Sequence, residues 1–148
     1  MDIKTQLTES VKDAMKSGDE IRKRTLRMVL AAVKQVEVDK RIEIDDLAVV
    51  ALIQKEIKNR REAIEEAQKA SRSDLIAENE AEIKVLEVFL PKAMSDDELR
   101  LLVQNSITEA GAAVPTDMGK VMKVLMPKIA GRAAGDRVSA MVKELLAK

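Results

Sequence analysis

Met118-Gly119-Lys120-Val121-Met122-Lys123-Val124-Leu125-Met126-Pro127-Lys128-Ile129 sets the pattern from which the rest of the chain is read. Met118, Val121, Met122, Leu125 and Ile129 recur at intervals of three and four, the spacing of one helix face. Lys120 and Lys123 point the other way. Lys128 is expected to rejoin them if the helix survives Pro127, which removes a backbone donor. Gly119 is a poor helix former in the first turn. Its plainest reason is close approach of another backbone or of a ligand. Downstream, Gly131 and Gly135 break the chain around Arg132. Asp136 is read as the cap of a last helix carrying Val138, Met141, Val142 and Leu145.

Upstream the same period repeats. Ile3, Leu7, Val11, Ala14 and Met15 form a first stripe, stopped at Gly18. Asp19 caps a second helix with Leu26, Val29, Leu30, Val33 and Val36, running to about Arg41. Asp45 caps a third, with Ile44 and Val49 as a hydrophobic staple and Leu47, Val50, Ile53, Ile57 and Ile64 as its stripe. Beyond Lys58 this helix turns highly charged and reads as leaving the core or edging it. Ser71 or Ser73 is expected to cap a fourth helix with Leu75, Ile76, Ile83, Leu86 and Leu90. Pro91 marks a boundary, because proline disfavours helix at the residue before it. Ser95 and Glu98 match the capping box, followed by Leu99, Leu102, Val103 and Ile107, and Gly111 ends that helix. Pro115-Thr116-Asp117 opens the next. The expected fold is all-α: a four-helix subdomain over 1–91 and a three-helix subdomain over 92–148.

Composition excludes more than it identifies. The 148 residues contain no histidine, cysteine, tryptophan or tyrosine, and Phe89 is the one aromatic. Thiolate metal sites and histidine-based nucleophilic catalysis are therefore out of reach, and no base-stacking platform exists. Ser139 and Lys143, four apart on one helix face, have ordinary solvated spacing. The carboxylate pairs Asp45/Asp46 and Asp96/Asp97 sit where helix starts favour acids. We expect no cofactor, no metal site and no catalytic residue. The opening MDIKTQLTESVKDAM lacks an apolar core and carries acids, so no signal peptide is expected. No apolar run nears the roughly 18 residues of a membrane span. A cytoplasmic location is expected.

The 26 bases and 26 acids cancel, but unevenly. Residues 119–148 hold seven bases against two acids, whereas residues 71–100 hold four against eight. Arg22-Lys23-Arg24, with Arg27 and Lys34, reads as a solubilising belt, with Glu20 pairing Arg24. Lys55, Lys58, Arg60 and Arg61 read as a solvated face with local partners, Lys58 with Glu62 and Arg61 with Glu65.

MGKVMKVLMPKIAGRAAGDRV, from Met118, resembles the signature of the GatB/YqeY domain family. LEVFLPKAMSDDEL, from Leu86, and TLRMVLAAVKQVEVDKR, from Thr25, are similar to the same family, and the likeness covers essentially the whole chain. Related sequences often read Gly-Lys-Ala-Asp where this chain has Gly131-Arg132-Ala133-Ala134; Asp136 follows two residues after. The resemblance implies a free-standing protein similar to the tail of an amidotransferase subunit that engages tRNA. It carries carbon–nitrogen ligase chemistry, with glutamine as amido donor, by family association only. The expected function is a non-catalytic module that binds tRNA or another structured RNA through Lys120, Lys123, Lys128 and Arg132. Gly119, Pro127, Gly131, Gly135 and Asp136 are the structural motif around them. The alternative is a docking module for a protein partner in translation or amidotransferase assembly.

Overall fold

The computed structural model describes residues 2–147. These residues form seven α-helices and one short 3-10 turn, with no strand among them. Contacts fall into two compact units that divide between Leu90 and Pro91.

The first unit holds α1 (Ile3–Ser17), α2 (Glu20–Lys40), α3 (Asp46–Lys69) and α4 (Ser73–Glu87). Its helix ends follow from local chemistry. Asp2, Asp19 and Asp45 each accept an N–H three residues ahead, which satisfies donors that a helix start leaves orphaned. Gly18 ends α1 in the left-handed region at φ 74°, where glycine alone is unstrained. Arg41 ends α2 in the same region. Leu7, Leu26, Val29, Val49, Ile53 and Leu86 are fully buried at the centre, and Ile44 and Phe89 close the edges. Three residues of the expected stripes face water instead: Met15 and Leu47 are about half exposed, and Leu75 is 37% exposed. Met15 and Leu47 lie at the margin of their helical face, where a stripe's outer residue loses its neighbour.

The expected serine cap of α4 is corrected. Arg72 occupies the N-cap with no side-chain bond, and Ser71 takes a positive φ of 53° instead. Arg72 closes the three-residue turn from α3 and pairs with Asp74 at 2.9 Å. The charged half of α3 does not leave the core, because α4 packs along it. Arg60 is buried there, donating to Glu82 at 2.9 Å and to Glu56 at 2.8 Å. Arg24 of α2 reaches the same Glu82 at 3.1 Å and Glu78 at 2.9 Å. The expected partner of Arg24, Glu20, bonds Lys23. Arg61 faces Glu87 of α4 at 3.8 Å rather than Glu65. Interhelical carboxylates have displaced these local pairs because α4 brings Glu78, Glu82 and Glu87 against the basic residues of α2 and α3.

The second unit holds α5 (Asp96–Ala110), a 3-10 turn (Pro115–Asp117), α6 (Met118–Ile129) and α7 (Gly135–Leu146). Ser95 and Glu98 form a complete capping box on α5, and Gly111 ends the helix at φ 66°. Leu99, Val103, Val121, Leu125, Ile129, Val138 and Val142 are fully buried, with Met94 and Ala133 at the rim. Proline does not stop α6. Pro127 sits one turn from its end, on the side facing water, so the Lys123 carbonyl it cannot bond lies where solvent is near. The capping role given to Asp136 is corrected. Ala134 is the N-cap of α7, and Asp136 lies inside the first turn, its carboxylate accepting the Arg137 N–H. Gly135 opens the helix rather than interrupting the chain; the left-handed break falls at Ala130 and Gly131, φ 51° and 79°.

Candidate nucleic-acid interface

The geometry of α6 separates the four bases singled out above. At about 100° per residue, Lys120 and Lys123 stand about 60° apart on the solvent face. Lys128 stands about 80° round from Lys120 and about 140° from Lys123, on the side of Lys120 away from Lys123. It lies on the flank beside α5 and pairs with Glu109. Arg132, in the turn before α7, is partly exposed but engaged within its own unit. It donates to the Lys92 carbonyl at 2.9 Å and to Glu98 at 3.0 Å, while its own carbonyl accepts the Met94 N–H at 2.8 Å.

Arg137 completes this arrangement, donating to the Met94 carbonyl at 2.8 Å and to Asp96 at 2.6 Å. The two arginines fasten the segment entering α5 to the turn between α6 and α7. Sequence reading placed Arg132 among RNA contacts and gave Arg137 no role. The signal was present in the acids of the 95–98 cap, but a cap three helices away in sequence gives no hint of its basic partner.

Lys120 and Lys123 remain. The Lys120 side chain is 68% exposed, with Asp117 at 3.8 Å, too long to hold it firmly. Lys123 is exposed and has no ion pair or hydrogen bond among the described residues. Asp117 is turned the other way: its carboxylate accepts N–H bonds from Ala113 at 3.0 Å and Val114 at 3.3 Å. Those bonds, with Lys120 nearby, hold its carboxyl below the usual aspartate range. Alone among the helices of the described residues, α6 contains no carboxylate. Its solvent face runs Gly119, Lys120, Lys123, Met126, Pro127, with Met126 partly exposed.

For Gly119, one of the two expected reasons, close approach of another backbone, drops out. A Cβ built there meets nothing within 4 Å, and its φ is not positive. No internal backbone approaches it. The same is true of Gly135.

Among the other bases, Arg24 is tied into the α2–α4 network and Lys23 to Glu20. Arg22 lines a shallow depression of about 300 Å³ with Lys84, Val85, Val88 and Phe89.

Comparison with known proteins fixes the family. The model for Yqey-like proteins matches residues 4–146. The chain belongs to the YqeY-like family. Curated relatives bear this out. "Altered inheritance of mitochondria protein 41, mitochondrial" from Lachancea thermotolerans is 33% identical over 119 residues, 78% of this chain and 64% of that protein. Its namesake in Kluyveromyces lactis is 33% identical over 114 residues, 74% of this chain and 61% of that protein. The Pyrenophora tritici-repentis protein of the same name is 28% identical over 144 residues, 95% of this chain and 79% of that protein. The YqeY-like chain thus spans less than two thirds of the length of the first two relatives. Among its described residues no helix is long and apolar enough to cross a membrane.

Proposed function

We propose that this YqeY-like protein is a non-catalytic module whose C-terminal unit, the three helices after Pro91, binds structured RNA, tRNA first among them. The contacts are to the phosphate backbone and are made by Lys120 and Lys123 on the solvent face of α6. One observation supports this most: α6 is the carboxylate-free helix of the described residues, its outward Lys123 has no ion pair among them, and Lys120 has only a long 3.8 Å contact to Asp117. A chain of zero net charge attracts a polyanion only through such a local surface. With no aromatic on the face, recognition rests on charge and shape. Lys128 and Arg132, each held by a glutamate, take a lesser part. Cytoplasm remains the proposed location. The word mitochondrial in the relatives' names makes that organelle the place to look next.

The test is the salt dependence of binding to purified bulk tRNA. Each phosphate neutralised releases condensed counterions, so log K falls linearly with log salt. Replacing Lys120 and Lys123 by alanine should reduce that slope by up to about 2 units. Replacing Lys55, Lys58 and Arg61 in the first unit should leave the slope unchanged. Equal losses in both variants would move the interface elsewhere. Absence of tRNA binding by the parent at low salt, with retention of a protein partner from nuclease-treated lysate, would replace this reading by protein docking.

A further inference from the structure

Gly119 sits in a helix, where glycine is less favourable than alanine, because it loses more backbone freedom on folding. Usual reasons for keeping it are a left-handed φ or a close neighbour within the fold. Gly119 has neither: its φ is not positive, and a side chain there would stand in open space. Its position gives a third reason. Gly119, Lys123 and Pro127 are spaced by four and form one column on the face that holds the unpaired Lys123 and the weakly paired Lys120. Lys120 lies beside the glycine. No acid of α6 lies on this face, and Asp117, just before the helix, gives one carboxylate oxygen to the Ala113 and Val114 N–H groups and leaves the other 3.8 Å from Lys120.

We propose that Gly119 is the point of closest approach, where the sugar–phosphate backbone of the RNA rests on the backbone of α6 on the far side of Lys123 from Lys120. The charge of the face commits it to a polyanion. The missing side chain lets that polyanion come within van der Waals distance of the helix itself, which shortens the reach of both lysines. This rests on the RNA-binding reading above and adds a contact that carries no charge.

Binding of bulk tRNA by the full chain, measured against salt, separates the two ideas. The variants are Gly119→Ala, Gly119→Leu, Gly135→Ala and Lys120→Ala/Lys123→Ala. Gly135 is the control, since it too opens a helix with nothing within 4 Å but lies off the face. Gly119→Ala should keep or raise the melting temperature. A methyl or larger group forced into a tight contact should weaken binding, by about tenfold for leucine and less for alanine. The salt slope should stay at the parent value, because no charge is removed. Gly135→Ala should bind as the parent does. If Gly119→Leu binds like the parent while the lysine variant loses slope, the glycine contact is wrong and the RNA face stands. If Gly119→Ala lowers the melting temperature, the fold needs this glycine and the inference falls. If the parent binds no tRNA at low salt, both ideas fall together.

Discussion

At the scale of single residues, the buried charges of the first unit matter most to stability. Arg60 and Glu82 are each less than a tenth exposed, and Glu82 is shared between Arg60 and Arg24. Removing one partner of a buried pair leaves the other desolvated and alone, which costs more than the pair contributes. Arg60 keeps Glu56, so Glu82→Ala should cost about 2 kcal/mol in urea unfolding, within the range for a stranded buried polar group. Glu78→Ala removes a half-exposed partner of Arg24 and should cost less than about 1 kcal/mol. A Glu82→Leu/Arg60→Met double variant that is more stable than Glu82→Ala would show that the loss comes from the stranded charge. None of this was visible in the run of charges after Lys58. Periodicity marks apolar faces, and a buried arginine among solvated ones looks like its neighbours. The two outward lysines of α6 were legible for the opposite reason: their helix has no acids to hide them.

At the scale of elements, punctuation by short polar side chains was read well, and longer-range ties were not. Asp2 was not singled out as a cap, but Asp19, Asp45 and the Ser95–Glu98 box sit where their spacing placed them. Gly18 and Gly111 end α1 and α5. The turn before α7 was misread because two arginines from the α6–α7 turn and α7 organise it around the start of α5, and such contacts have no local signature. The lead-in to α6 yields a pH prediction. Asp117 accepts backbone N–H bonds from Ala113 and Val114 more strongly as a carboxylate than as a neutral acid, so its folded pKa lies below its unfolded one. A depressed carboxyl stabilises the fold above its unfolded pKa and loses that contribution as pH falls through the folded value. Melting temperature should therefore decline from about pH 5 toward pH 2, and Asp117→Ala should decline less steeply over that window. Equal slopes would mean that the two N–H bonds contribute nothing.

For the whole molecule, the helical class was plain from one repeated period; the contacts of the fold divide between Leu90 and Pro91. The residues from Val88 to Ser95 lie outside any helix, and Lys92 among them is exposed. Limited trypsin treatment should cut first after Lys92, since proteases act on exposed non-helical chain. Early cleavage after Lys55 or Lys58, inside α3, would contradict this arrangement. The sole aromatic ring in the sequence, Phe89, is buried in the first unit, and the second unit has none. The protein is therefore almost dark to ultraviolet light at 280 nm and has no native fluorophore of the usual kind. That darkness is useful. A single indole placed at 89 reports on the first unit against a silent background, and one placed at 124 reports on the second. Two such probes would show directly whether a chain of two compact units melts in one step or two, the point on which any single unfolding free energy depends.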